Sequence, residues 1–171
     1  MAKAALLRFG IRFLLLTLAL LGALEAAHGT KLEALVVERA ICQPSARFLG
    51  LLMPAEGVRC VNRSLVSQHV QLRIVRGCEG TETLLLLTAA LLAYPASLKH
   101  RAVGVAVGAI LSWILSVARL SFLFAALRYS ASNWEAVHGT LASLLPVLVI
   151  GVYFLHWTSI GGPAKARANV S

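Results

Sequence analysis

Residues 102 to 127 read AVGVAVGAILSWILSVARLSFLFAAL, the longest apolar stretch of the chain. It is longer than the roughly 20 residues that a helix needs to cross the hydrocarbon layer of a bilayer, and its one charged residue is Arg119. An apolar run of this length predicts a membrane protein. The composition agrees, because 58% of the 171 residues are hydrophobic, 13% are charged and the mean hydropathy is +0.79.

The net charge of +9 comes from 16 Lys and Arg residues against seven acidic residues, all of them Glu. The basic residues are spread along the chain, and many lie at the ends of apolar runs, where they set membrane topology and contact lipid headgroups. We therefore expect membrane lipid as a partner and no nucleic acid. The His and Cys residues lack the spacing of metal ligands, so no metal and no cofactor are expected.

Three further apolar runs predict spans: an N-terminal transmembrane anchor at 11–27, and two later spans at about residues 81–96 and 138–157. The apolar core of the anchor, 11–24, is short for a span and follows basic residues, as in a secretory signal peptide; we favour an uncleaved anchor. The tail, 159–171, is expected in the cytoplasm.

The segment between the first two spans, residues 28–77, predicts a small extracytoplasmic structure. Thr30 and Glu33 form a capping box, which predicts the start of an amphipathic helix that Pro44 interrupts. Apolar and polar residues alternate over 70–74, which predicts a β-hairpin whose other strand falls within 58–66, with its turn near residues 62–64 or further along. The predicted fold is a single domain: an all-α integral membrane bundle of about four transmembrane helices with a small β-hairpin and an amphipathic helix.

Basic residues set the expected orientation. A cytoplasmic turn at residues 99–101, a cytoplasmic N-terminus and a cytoplasmic tail are consistent with four crossings, although the outer segment also holds seven basic residues. Arg119 then follows Arg101 by about 18 helical residues, or roughly 27 Å, which is close to the outer edge of the hydrocarbon. Cys78 and His138 also lie beside spans at the outer face. Three reactive side chains are therefore expected at one face of the membrane.

Each of these three residues has an ordinary and a functional interpretation. Cys78 could be a small apolar residue, but Gly77 and Gly80 leave room for a substrate, and a nearby helix start favours a thiolate. Arg119 could extend to the headgroups, yet a charge in an apolar helix costs about 2.5–3.5 kcal/mol and usually faces a functional interior. His138 could be a boundary residue, or it could move protons near neutral pH.

The chain has three cysteines, all in or beside the outer segment. In an oxidising compartment two of them could pair and leave one as a thiol. Because Cys78 is expected at the membrane entrance, we predict that any disulfide joins Cys42 to Cys60.

Three motifs make the chain resemble the exosortase and archaeosortase family of membrane-embedded cysteine transpeptidases. They are RGCEGTETLLLLTAALLAYP at 76–95, LSVARL at 115–120, and His138 at the start of the last helix. The resemblance covers roughly residues 57–157 and is greatest to the short exosortase H type. One position differs, since Ser116 stands where many members have Asn three residues before the Arg, and a hydroxyl can still donate and accept a hydrogen bond.

The resemblance implies a three-helix catalytic core at 78–158 with Cys78 as nucleophile, His138 as proton carrier and Arg119 as the stabilising cation. The supporting residues are Gly77, Gly80, Glu82 and Ser116. The implied enzyme is a cysteine peptidase or transpeptidase of the bacterial inner membrane, with its active site facing the periplasm. It would form a thioester while cleaving the C-terminal sorting signal of secreted proteins, which consists of a short motif, a transmembrane helix and a basic tail. The alternative is a non-catalytic assembly factor or transporter subunit in which Arg119 pairs with Glu82 or Glu79.

Overall fold

The structure is a computed structural model that describes residues 2–75, 77, 79–129 and 142–161. These residues are mostly helical, with one small antiparallel sheet. The helices are α1 (Ala2–Ala27), α2 (Lys31–Val36), α3 (Gln43–Leu52), α4 (Thr81–Ala93), α5 (Leu98–Tyr129) and α6 (Ala142–Ile160). A π-helical segment, Val37–Cys42, joins α2 to α3, and a 3-10 turn, Pro54–Glu56, follows α3. The strands are β1 (Arg59–Val61), β2 (Ser64–Val66) and β3 (Gln71–Arg73).

The chain divides into two compact units. Unit 1 contains Met1–Ala26, Thr81–Ser112 and Val147–Ser171, and unit 2 contains Ala27–Gly80 and Trp113–Pro146. Helix α5 contributes its first half to unit 1 and its second half to unit 2.

Two helices are long and apolar enough to cross a membrane. One is Leu6–Ala27, with a mean hydropathy of 1.9, and the other is α5, with 2.0. The first is longer than the predicted apolar core at 11–24, because the helix continues through the basic positions and includes Leu6 and Leu7. Two shorter apolar helices, Thr81–Ala93 and Leu144–Ile160, complete the apolar elements of the described residues.

The loop between α4 and α5 differs from the predicted one. Helix α4 ends at Ala93, before the predicted residue 96, because Pro95 disfavours helical geometry at the residue before it. The basic residues 99–101 were expected in a turn, and they lie instead in the first turn of α5. The Ser97 hydroxyl oxygen accepts a hydrogen bond from the backbone N–H of His100 at 3.3 Å, which caps this helix start.

Small residues and aromatic rings fill unit 1. A side chain at Gly108 would meet Leu87, so α4 approaches the α5 backbone closely there. The Tyr153 hydroxyl of α6 donates a hydrogen bond to the carbonyl oxygen of Gly104 at 2.7 Å. Tyr94 packs edge-to-face on Trp157, and these contacts hold α4, α5 and α6 together within the unit.

Unit 2 begins with the predicted capping box. Thr30 caps α2 by accepting the Glu33 N–H at 3.3 Å, and the Glu33 carboxylate accepts the N–H of Gly29 at 2.7 Å. The prediction of a helix start here is confirmed. The prediction that Pro44 interrupts the helix is wrong, because backbone torsions stay helical from α2 through the π-helical segment into α3, where Pro44 occupies the first turn.

The sheet confirms the predicted hairpin and adds one strand to it. β2 pairs with β3 with Leu65 opposite Leu72, and β1 pairs with β2 across a two-residue turn. Asn62 and Arg63 in that turn both have positive φ, 47° and 58°, as a type I′ turn requires. The predicted strand at 58–66 is therefore two strands with a tight turn between them.

The core of unit 2 forms where the sheet meets α3 and the second half of α5. Leu49, Leu65 and Phe124 are almost completely buried in it. Cys42, which ends the π-helical segment, forms a disulfide with Cys60 of β1, with Cα atoms 5.7 Å apart. The predicted pairing of these two cysteines is confirmed, and it fastens the helical part of unit 2 to the sheet.

Candidate active site

Arg119 lies in the second half of α5, is partly buried, and contacts the predicted nucleophile segment. Its Nη1 donates a hydrogen bond to the carbonyl oxygen of Gly77 at 3.1 Å. Gly77 precedes Cys78 in the sequence and has a φ of 82°, which a glycine adopts without steric cost. The guanidinium therefore binds the backbone one residue away from the predicted thiol.

A second contact joins the other side of this segment to α5. Gly80 has a φ of 77° and directly precedes the first residue of α4. A side chain at Gly80 would overlap Ser116 Oγ, so the Ser116 hydroxyl would have to rotate to make room for it. Ser116 is 6% exposed and lies three residues before Arg119, on the same face of the helix. Gly77 and Gly80 thus both approach the same face of α5.

Cys78 and His138 lie outside the described residues, so their predicted meeting with Arg119 stays a prediction. Of the supporting residues, Gly77, Gly80 and Ser116 belong to unit 2 and lie in the two contacts just described. Glu82 belongs to unit 1, where it is exposed in the first turn of α4.

The position of α5 within unit 2 depends on a residue that the sequence did not single out. The indole Nε1 of Trp113 donates a hydrogen bond to the carbonyl oxygen of Ala40 at 2.6 Å. Ala40 lies four positions before Pro44. Because proline has no backbone N–H, Pro44 cannot donate the usual helical hydrogen bond to the Ala40 carbonyl oxygen. Pro44 is therefore the sequence signal for this contact. A proline within a continuous helix leaves the carbonyl oxygen four residues before it without a backbone donor, so that another group can bind there.

A cavity of about 250 Å³ adjoins the segment on the side of the sheet. Ile74, Val75 and Glu79, which come before and after Gly77, lie in its wall. Arg63 and Arg73 contribute two guanidinium groups. Glu79 is 9% exposed, and the sequence had suggested it only as a partner of Arg119.

Two carboxyl groups of unit 2 have a lowered pKa. The N–H of Gly29, together with His28, holds the pKa of Glu33 below its usual value. The pKa of Glu56 is lowered by its hydrogen bond from Arg128 Nε at 2.8 Å and by the one it shares with His69 Nδ1 at 3.1 Å. Glu56 is 7% exposed, so this group ties the 3-10 turn to the C-terminal end of α5 and to the loop before β3.

The arrangement supplies a fixed cation beside a backbone segment bounded by two positive-φ glycines. A cation held in this way can stabilise a thiolate or an oxyanion that develops near it. Within residues 2–75, 77, 79–129 and 142–161, no three His, Cys, Asp or Glu side chains come together as metal ligands would. A scan against protein-family models and searches of curated proteins and of solved structures found no match to this chain.

Proposed function

We propose that the protein is a membrane-embedded cysteine peptidase or transpeptidase that cleaves the C-terminal sorting signals of secreted proteins. The observation that carries the proposal is the hydrogen bond from Arg119 to Gly77, next to Cys78. Arginine within an apolar helix is costly and is retained mainly where it has a functional partner. The resemblance of the three sequence motifs to the exosortase and archaeosortase family supplies the reaction.

The proposed enzyme spans the inner membrane of a bacterium four times, with Cys78 at the periplasmic face. The two candidate spans, α1 and α5, support membrane insertion. The other two crossings would be α4 and α6. Helix α4 has 13 residues, or about 20 Å, so this crossing would also need part of the segment that contains Cys78.

In the proposed reaction, His138 removes the proton from the Cys78 thiol, and the thiolate attacks the scissile carbonyl carbon. Arg119 stabilises the thiolate or the oxyanion of the tetrahedral intermediate. The C–N bond then breaks, the departing amine takes the proton from the His138 imidazolium, and a thioester remains. An acceptor amine or water attacks the thioester and regenerates the thiol.

Co-expression with a secreted protein that ends in a short motif, one apolar helix and an arginine cluster tests the proposal. Cys78→Ala should abolish processing, while immunoblotting shows an unchanged amount of the membrane protein. The matched control is Gln68→Ala, an alanine substitution at an exposed position of the outer segment that leaves the Cys42–Cys60 disulfide intact and should retain processing.

Arg119→Gln should lower the processing rate by about 10²- to 10³-fold, as loss of one stabilising donor does in other acyl-transfer sites. Normal processing by the Cys78→Ala variant would exclude the covalent mechanism. It would favour the non-catalytic alternative, an assembly factor or transporter subunit.

A further inference from the structure

The cavity beside Glu79 is lined by two arginines, Arg63 and Arg73, and by two glutamates, Glu33 and Glu79. Both oxygens of Glu33 are used, one by His28 Nδ1 at 3.0 Å and the other by the N–H of Gly29 at 2.7 Å. Glu79 also has an interaction of its own. Within the described residues, Arg63 and Arg73 donate no side-chain hydrogen bond, although the charge of Arg63 contributes to the lowered pKa of Glu33.

The backbone brings these two arginines together. Arg73 is directly opposite Ser64 in the pairing of β2 with β3, and the carbonyl oxygen of Arg63 accepts the N–H of Ile74 at 2.9 Å. Arg63 in the β1–β2 turn and Arg73 in β3 are thus close along the backbone, and both line the cavity. Two guanidinium groups in this arrangement suit an anion with several oxygens, such as phosphate, which arginine binds in a bidentate manner.

The location of the cavity identifies the source of such an anion. His28, which lies in the cavity wall, directly follows Ala27, the last residue of the candidate span Leu6–Ala27. A bilayer is about 30 Å thick in its hydrocarbon and about 40–45 Å with its headgroups, so the phosphate layer lies within several ångströms of the end of a span. This argument holds for either orientation of the chain.

We propose that Arg63 and Arg73 bind the phosphate group of an anionic phospholipid headgroup in this cavity. The apolar wall formed by Val37, Ile74 and Val75 suits the glycerol part of such a lipid. The site is separate from the proposed peptidase chemistry, because a lipid would bind there whether or not Cys78 is a nucleophile.

The test measures lipid retained by the full-length protein. The protein is reconstituted in vesicles of phosphatidylcholine with phosphatidylglycerol, extracted in detergent and examined by native mass spectrometry. The variant Arg63→Gln/Arg73→Gln should retain at least about tenfold less phosphatidylglycerol, since each arginine near a headgroup contributes several-fold to affinity. The control, Arg39→Gln/Arg47→Gln, removes the same charge from two exposed positions of the outer segment and should retain phosphatidylglycerol within about twofold of the unaltered protein.

Arg63→Lys/Arg73→Lys keeps the charge and should retain an intermediate amount of phosphatidylglycerol. Formation of the Cys42–Cys60 disulfide, followed on non-reducing gels, verifies that each variant folds. Equal retention of phosphatidylglycerol by the Gln double variant and the unaltered protein would overturn the proposal. Displacement of the lipid by millimolar inorganic phosphate would also overturn it, because the site would then be one for a free anion.

Discussion

Arg119 Nη1 lies 3.1 Å from the carbonyl oxygen of Gly77, although 42 positions separate the two residues in the sequence. This hydrogen bond gives the one charged residue of the longest apolar stretch a backbone partner within the protein. It also gives the segment around Cys78 a fixed neighbour on α5. The proposed chemistry depends on this relationship and on the contacts that maintain it.

Gly80→Ala should destabilise the protein more than Gly77→Ala does. Both glycines have φ near 80°, so each substitution costs about 1 kcal/mol from the backbone alone. At Gly77 an added side chain meets no atom of the described residues within 4 Å, whereas at Gly80 it overlaps Ser116 Oγ, which adds about 1–3 kcal/mol. Thermal unfolding in detergent measures the difference.

Ser116→Ala should rescue part of the Gly80→Ala defect, because it removes the overlapping oxygen and leaves a carbon at ordinary contact distance. Equal losses at Gly77 and Gly80, with no rescue by Ser116→Ala, would show that Gly80 does not pack on α5 as described.

Trp113→Phe should lower the free energy of unfolding by about 1 kcal/mol, because the Ala40 carbonyl loses its donor. Pro44→Ala restores an N–H four residues after that carbonyl, so the double variant should lose less stability than the two single variants together. A double-mutant cycle measures this coupling. Additivity within about 0.5 kcal/mol would mean that the proline and the indole act independently.

Glu56→Gln should lower the melting temperature at neutral pH by a few degrees and have little effect in acid. The hydrogen bond from Arg128 lowers the pKa of Glu56 in the folded protein. The stabilisation from this carboxylate is therefore complete above its ordinary pKa and is lost as the pH falls through the lower folded-state value. Melting curves of both proteins across this range test the sign. A difference that grows in acid would contradict it.

A periplasm-active reporter such as alkaline phosphatase tests the proposed four crossings. Fused after Gln68, in the loop before β3, it should be active, and fused after Ser97, before α5, it should be inactive. The reverse pattern would place the segment around Cys78 in the cytoplasm. Equal activity at both positions would mean that α4 does not cross the membrane.

Local sequence signals predicted the elements whose stabilising partners are near in the chain. The capping box at Thr30 and Glu33 involves residues three apart, and the alternation at 70–74 reflects the two faces of one strand. A turn near residues 62–64 was one of the two predicted positions, and the structure has one at Asn62 and Arg63; the third strand was not predicted, because the segment 58–66 was assigned a single strand. The break expected at Pro44 failed because the missing donor comes from Trp113, 73 positions after Ala40.

The candidate site likewise depends on contacts between residues that are distant in the sequence. Sequence motifs named Gly77, Gly80, Ser116 and Arg119, but no local pattern could show that the first two approach the face of α5 that carries the other two. Such long-range contacts depend on how the helices and the sheet pack. The cavity with Arg63 and Arg73 was missed for the same reason, since the hairpin pairing brings these residues together.

The reactivity of Cys78 toward a thiol-directed reagent shows whether this residue can act as the nucleophile. Because the other two cysteines of the chain form a disulfide, the alkylation rate of the unreduced protein reports on Cys78. We predict rapid alkylation with a pH midpoint at least one unit below the ordinary thiol pKa of about 8.5. A Cys78 that resists alkylation, or that reacts with a midpoint at or above that value, would contradict the account.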